Sequence, residues 1–91
     1  MKRVRIKVIG KVQGVCFRRY TLEKANELRL TGYVGNRDDG SVEILVQGGD
    51  GAVAQLIDWC HHGAPAAEVE QVLVDEDQDN DIYLDFSIIA L

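Results

Sequence analysis

The sequence of 91 residues has little proline, little cysteine and no long hydrophobic run. One proline and two cysteines exclude a collagen-like chain and a disulfide scaffold, while 46% hydrophobic and 27% charged residues exclude a disordered chain. Apolar runs stop at three or four residues, so no segment of the sequence is predicted to cross a membrane. The basic start, Met1–Lys7, is followed by no apolar signal region, and we therefore expect a cytoplasmic protein.

The length predicts one domain covering residues 1–91, because independently folding units usually contain about 100 residues or more. The expected oligomeric state is a monomer. Cys16 and Cys60 are the two cysteines, and their number fits two reduced thiols as well as one disulfide. Their spacing alone leaves both states open.

Charge is divided sharply along the chain. All ten basic residues lie at or before Arg37, where only two acids occur, so residues 1–37 carry a net charge of +8. Residues 38–91 contain thirteen acids and no base, a net charge of −13. The first part could therefore meet an anion, whereas the second would repel a polyanion such as a nucleic acid. The same division of charge has a structural explanation, in which a basic strand and a basic helix pack beside acidic strands of the folded sheet.

Hydrophobic periodicity alternates between about 2 and about 3.6 residues, which predicts five strands and two helices in the order βαββαββ. The turn Asp38–Gly40 marks a hairpin, and Asp50 is the expected cap of the second helix. A phase slip between Val69 and Val72 indicates a bulge or an early start of that strand. The predicted elements are a strand ending at Gly10, a helix at Phe17–Arg29, a strand at Thr31–Arg37, a strand at Val42–Val46, a helix from Asp50 stopped by Gly63 and Pro65, a strand at Val69–Val74, a polar turn at Asp75–Asp81 and a strand at Ile82–Ile88.

This order is typical of the ferredoxin-like split βαβ sandwich, an α+β fold with two helices on one face of an antiparallel sheet. The first two strands are joined by a helix and should run parallel, separated by the second strand of the hairpin. Their carboxyl ends then meet at one edge of the sheet. We therefore expect the loop after Gly10 to lie beside Asn36.

The segment Gly10–Arg18, with the sequence GKVQGVCFR, connects the first strand to the first helix. Its two glycines allow tight backbone geometry, and it ends where a helix presents unpaired N–H groups and the positive end of its dipole. Such a loop is suited to a phosphate. The Walker pattern and the dinucleotide fingerprint are both excluded by the residues and the glycine spacing. An ordinary glycine-containing connection is the alternative that the residues leave open.

Gly10–Arg18 resembles the first motif of the acylphosphatases, G-x-V-Q-G-V-x-F-R, at every fixed position. Gly32–Asn36, with the sequence GYVGN and followed by Gly40, Val42 and Gly48, resembles the second motif. The resemblance covers the whole chain, since the family is a single ferredoxin-like domain of similar length. Gly35 is a departure, because the family commonly has a basic residue at that position.

The resemblance implies a hydrolase that converts an acyl phosphate into a carboxylate and inorganic phosphate, with no metal or other cofactor. Arg18 would bind the phosphoryl group together with the loop amides, and Asn36 would orient the attacking water. The residue chemistry fits these roles, because a guanidinium matches phosphate oxygens and a side-chain amide both donates and accepts hydrogen bonds. A carboxylate leaving group, whose conjugate acid has a pKa of about 4, departs without a general acid. The implied substrate-binding residues are Gln13, Gly14, Val15, Cys16 and Phe17, and the implied catalytic residues are Arg18 and Asn36.

Other functions fit the residues less well. An RNA-recognition domain has the same element order but needs aromatic residues on its two central strands, and Arg3–Ile9 and Ser41–Gln47 contain none. Asp75–Asp81 does not fit a calcium-binding loop, because counting the ligand positions from Asp75 or from Asp77 puts other residues where the loop needs glycine and glutamate. His61 and His62 lack further ligands at metal-binding spacing. We therefore expect no nucleic-acid, membrane or metal partner. A non-catalytic regulatory module that binds a small anion in the same loop stays open, and the departure from the second motif favours it.

Overall fold

The computed structural model describes all residues from Met1 to Leu91. The chain folds into five strands and two helices in the predicted order. Neither helix is long and apolar enough to cross a membrane. The elements are β1 (Lys2–Lys11), α1 (Phe17–Glu27), β2 (Thr31–Asn36), β3 (Val42–Gly48), α2 (Asp50–Cys60), β4 (Glu68–Glu76) and β5 (Phe86–Ile88).

The strands form one sheet in the order β4-β1-β3-β2-β5. β3 lies antiparallel to both β1 and β2, so β1 and β2 run parallel to each other on either side of it. This arrangement confirms the ferredoxin-like fold and the predicted placement of the first two strands. It also brings the carboxyl ends of β1 and β2 to the same edge of the sheet.

Both helices cover one face of the sheet, with α1 packed on β2 and β5 and α2 packed on β1 and β3. Alternate residues of the central strands point into this layer, because successive side chains of a strand face opposite sides. Phe17, the first residue of α1, is buried in the same core, and its ring lies 5.5 Å from that of Trp59 on α2. The paired core residues of β1 and β3 are Val4 with Val46, Ile6 with Ile44, and Val8 with Val42.

The fifth strand departs from the sequence prediction. It joins the edge of the sheet parallel to β2, so the sheet is mixed, and it contains three residues where the alternation predicted seven. Ile82 and Leu84, expected to be buried in it, are 75% and 92% exposed. Gly32 pairs with Phe86, and β2 begins only at Thr31, so residues 82–84 have no strand residues of β2 beside them. The side chain of Gln47 binds residues 82–84 instead, accepting a hydrogen bond from Tyr83 N at 3.1 Å.

β4 contains the predicted bulge. Ile9 of β1 pairs with Gln71 and Gly10 with Val69, which leaves Glu70 as the extra residue. The strand continues to Glu76, so the polar turn predicted to begin at Asp75 starts after the strand has ended.

The first helix ends two residues earlier than predicted. Arg29 has a left-handed φ of 59°, its N–H donates to Asn26 O, and the N–H of Leu30 donates to Ala25 O. These hydrogen bonds form a Schellman motif, which usually places glycine where this chain has Arg29, and without that glycine the end of the helix is not marked in the sequence.

The second helix is capped by Gly49 without a side-chain hydrogen bond, which corrects the expectation that Asp50 is its cap. Asp50 lies in the first turn instead. Its negative charge there still favours the positive end of the helix dipole.

Candidate functional site

The loop between β1 and α1 presents unpaired backbone donors at the start of the helix. Gly14 has φ 74°, and Cys16, the N-cap residue, has φ 62° and contributes no capping side chain. The N–H groups of residues 13–19 donate to no acceptor within the protein. Because the N-terminus of a helix also carries a partial positive charge, this loop is electrostatically suited to an anion.

Arg18 is the second residue of α1 and is exposed. Its guanidinium makes no ion pair or hydrogen bond within the protein, whereas the neighbouring Arg19 pairs with Glu23 at 3.6 Å. No acidic residue lies in the first turn of α1. The guanidinium of Arg18 is therefore available to a bound anion, with no carboxylate of that turn competing for it.

Asn36 is the last residue of β2. It pairs with Val42 and follows Val34 by two positions, which places its side chain on the helix-covered face of the sheet. Its Oδ1 atom is buried and has no hydrogen-bond partner in the protein. An unpartnered buried acceptor of this kind is uncommon in folded proteins and marks a position that a ligand or water could complete.

Gln13 joins these two parts of the site. Its Nε2 atom donates to Arg37 O at 2.8 Å and to Ser41 O at 2.9 Å, at the two ends of the turn between β2 and β3. The loop after β1 therefore contacts the segment that follows Asn36, as the parallel arrangement of β1 and β2 predicts.

The turn between β2 and β3 is organised by Asp39. Its Oδ1 accepts hydrogen bonds from Ser41 N at 3.0 Å and from Ser41 Oγ at 2.5 Å, and its Oδ2 lies 3.0 Å from Lys7 Nζ. The hydrogen bonds from Ser41, followed by the charge of Lys7, hold the pKa of the Asp39 carboxyl well below its ordinary value. The sequence showed this residue as part of a turn and gave no sign of its ion pair.

Replacing Asp39 with asparagine should lower the thermal midpoint near neutral pH, and the difference from the wild type should shrink below about pH 4. A carboxyl whose folded pKa is depressed stabilises the fold above its unfolded pKa, ordinarily about 3.9, and loses that contribution as the pH falls toward the folded value. Thermal melts followed by circular dichroism between pH 2 and pH 7 give the measurement. Asp38→Asn is the matched control, and a difference that stays constant throughout that range would contradict the assignment.

On the open face of the sheet, a buried carboxylate fixes the side chain that follows Asn36. Glu43 of β3 accepts a hydrogen bond from Tyr33 Oη at 2.6 Å and another from Arg37 Nη1. Burial, followed by the hydrogen bond to Glu43, raises the pKa of Tyr33 to about 12. Arg37 is thereby held on the face opposite to the helix layer, where it supports the turn. The alternation of polar and apolar residues in β3 did not indicate that Glu43 is buried or that it accepts hydrogen bonds from two side chains.

Gly35, the departure from the family motif, lies under the last residues of the chain. A Cβ atom at this position would lie 2.8 Å from Leu91 Cγ and 2.9 Å from Ile89 O. The segment is attached to β2 by the hydrogen bond from Ile89 N to Val34 O at 2.9 Å. A basic side chain would displace this segment, so glycine at position 35 is explained by close packing.

The remaining loop residues differ in exposure. Phe17 is buried and anchors the start of α1, whereas Cys16 is exposed and carries a free thiol. Cys60 also has a free thiol, and burial raises its pKa to about 12. The two cysteines, whose state the sequence left open, are therefore unbonded in this structure.

The chain is similar over nearly its whole length to proteins of one family. The family model described as acylphosphatase matches residues 4–88. The acylphosphatase of Shewanella amazonensis is 64% identical over 88 residues, covering 97% of both chains, and that of Shewanella oneidensis is 58% identical over 89 residues, covering 98% of this chain and 99% of the other. The crystal structure of the acylphosphatase from Bacillus subtilis superimposes with a TM-score of 0.93 at 38% identity, covering 98% of this chain and 99% of that one.

Proposed function

This chain belongs to the acylphosphatase family and hydrolyses acyl phosphates, and we propose that the β1–α1 loop with Arg18 binds the phosphoryl group while Asn36 orients the attacking water. The observation that carries this assignment of roles is the run of unpaired N–H groups at residues 13–19, beside an unpaired guanidinium. The family assignment favours the enzyme over the non-catalytic anion-binding module.

Phosphate binding in this proposal uses the backbone of Gln13, Gly14, Val15, Cys16 and Phe17. Their N–H groups and the helix dipole would face the phosphate oxygens, and Arg18 would add charge-assisted hydrogen bonds from its planar guanidinium. Phosphoryl transfer depends mainly on positioning and on neutralising charge spread over the oxygens. The loop provides both through its backbone N–H groups and one guanidinium, and Gln13–Arg18 contains no aspartate, glutamate or histidine.

The leaving group explains the absence of a general acid. When water attacks phosphorus, the bond between phosphorus and the acyl oxygen breaks, and the carboxylate leaves with the electron pair. Its conjugate acid has a pKa of about 4, so no proton has to be supplied at neutral pH. The proton of the attacking water would pass to a phosphate oxygen of the substrate.

Asn36 would hold the attacking water through its buried Oδ1 atom. A side-chain amide accepts a hydrogen bond from water at all physiological pH values, because it does not titrate in that range. A water fixed in this way is already placed for attack, which lowers the entropic part of the barrier. The partnerless state of Oδ1 supports this role.

We expect the protein to release phosphate from benzoyl phosphate at least about 10² times faster than from benzyl phosphate, in the presence of a chelator. The two substrates share the ring and the phosphate, but benzyl phosphate leaves as an alkoxide that needs a proton. Phosphate release measured at equal concentrations gives the ratio. If the folded protein is inactive toward benzoyl phosphate, the non-catalytic anion-binding module becomes the favoured function. Equal rates on both substrates would contradict a site without a general acid.

We further propose that the protein acts as a cytoplasmic monomer, folded as one domain over residues 1–91, on a small-molecule substrate and without nucleic acid. The free thiols of Cys16 and Cys60 support a reducing compartment, where disulfides are rare. Light scattering during size-exclusion chromatography measures the oligomeric state, and a stable dimer would contradict this part of the proposal.

A further inference from the structure

We propose that Gln13 is a positioning residue, which aligns Asn36 with the phosphate-binding loop through its side-chain amide and does not bind the phosphate with that amide. This inference rests on the proposed function. It assigns to the side chain of Gln13 a role separate from that of the loop backbone.

The hydrogen-bonding capacity of the Gln13 amide carries the first step. A side-chain amide nitrogen has two N–H donors, and Nε2 uses both, one on Arg37 O at 2.8 Å and one on Ser41 O at 2.9 Å. No donor remains on the side chain for a phosphate oxygen. The amide oxygen would repel a phosphate, so the side chain is not suited to bind the substrate.

The two acceptors lie where they control the end of β2. Arg37 N also donates to Ser41 O at 2.9 Å, so both carbonyls belong to the pair of residues that closes the turn. The peptide group of Arg37 directly follows Asn36 in the chain. A fixed carbonyl at Arg37 therefore restricts the backbone from which the Asn36 side chain extends.

No other hydrogen bond joins the two parts of the site. The two bonds donated by Gln13 are the only ones between residues 12–16 and residues 36–41. On the loop side, Gln13 precedes Gly14, where the run of unpaired N–H groups continues toward α1. The pairing of β1 and β2 with β3 sets how the two segments lie, and Gln13 is the side chain that ties the loop directly to the turn after Asn36.

A displacement of about 1 Å between reacting groups lowers a rate by about 10²-fold. The Gln13→Met variant keeps the length of the side chain and removes both donors. We expect it to lower kcat for benzoyl phosphate by about 10- to 100-fold and to change the inhibition constant for inorganic phosphate by less than about 3-fold. Gln71→Met, at an exposed position of β4, is the matched control and should leave both values unchanged.

The decisive measurement repeats Gln13→Met in an Asn36→Ala background. If Gln13 acts by aligning Asn36, its replacement should lower kcat by less than about 3-fold once Asn36 is absent, because interacting residues are non-additive. The same loss in both backgrounds would overturn the proposal, as would a rise in the phosphate inhibition constant that parallels the loss of kcat. Assays are run well below each variant's thermal midpoint, so that unfolding does not contribute.

Failure of this inference is distinguishable from failure of the proposed function. If Asn36→Ala alone leaves kcat unchanged, the water-orienting role of Asn36 is wrong. If Asn36→Ala is impaired but Gln13→Met is fully active, the proposed function stands and the positioning role of Gln13 is wrong.

Discussion

Replacing Arg18 with alanine is expected to lower kcat/KM for benzoyl phosphate by about 10³-fold or more, the size of effect seen when an arginine that neutralises a transferring phosphoryl group is removed. Inhibition by free phosphate should weaken by about 10- to 100-fold, since a hydrogen bond to a charged group contributes about 1.5–3 kcal/mol. Stability should change by no more than about 0.5 kcal/mol, because Arg18 is exposed and makes no contact that the fold requires. Steady-state kinetics and thermal melts measure these effects.

Two control variants separate charge from geometry. Arg18→Lys keeps the charge but loses the planar fork, so it should recover part of phosphate binding and little of kcat. Arg19→Ala removes the adjacent arginine, which is paired with Glu23, and should remain close to the wild type. Equal losses at Arg18 and Arg19 would indicate a general effect of positive charge and would contradict a specific role for Arg18.

The placement of the candidate site follows from patterns visible in the sequence. Alternating residues in β1 and β3, and helical spacing after Phe17, are enough to predict the order of the elements. The crossover between β1 and β2 then requires them to be parallel, with their carboxyl ends together. The hydrogen bonds from Gln13 to the turn after Asn36 show that this reasoning brings the correct segments into contact.

Other features depend on tertiary partners that local patterns do not encode. Ile82 and Leu84 alternate as a buried strand would, but no neighbouring backbone is available to pair with them. Glu43 reads as the polar position of a half-exposed strand, although Tyr33 and Arg37 bury it by binding its carboxylate. The same limitation applies to Gln13, whose side-chain partners lie more than twenty residues away.

The site retains polar groups that the rest of the fold leaves unused. The N–H groups at the start of α1 have no protein acceptor, and Oδ1 of Asn36 is the one buried side-chain oxygen or nitrogen without a hydrogen-bond partner. A buried acceptor left unpaired costs about 1–3 kcal/mol of stability. Such groups persist at functional sites, where activity and stability oppose each other. This opposition predicts how Asn36 responds to replacement.

Asn36→Ala should lower kcat for benzoyl phosphate by about 10² to 10³-fold, the loss typical of removing one group that is positioned for the transition state. The inhibition constant for phosphate should stay within about 3-fold of the wild type, because orientation of water affects the transition state and not the binding of the product. The free energy of unfolding should change by less than about 1 kcal/mol, since the side chain removed makes no hydrogen bond to the protein through Oδ1. Kinetics, product inhibition and urea denaturation measure the three quantities.

Comparing Asn36→Asp with Asn36→Ala separates a role in orienting water from a role in binding the phosphate. It keeps an oxygen in the place of Oδ1 but adds a negative charge beside the phosphate, so it should lose activity and also weaken phosphate inhibition. Asn36→Ala lacks that charge and should lose activity alone. If both variants weaken phosphate inhibition equally, Asn36 binds the phosphate or supports the loop. If Asn36→Ala is instead strongly destabilised, the buried Oδ1 atom makes a contact that the fold requires, and its role in orienting water loses its support.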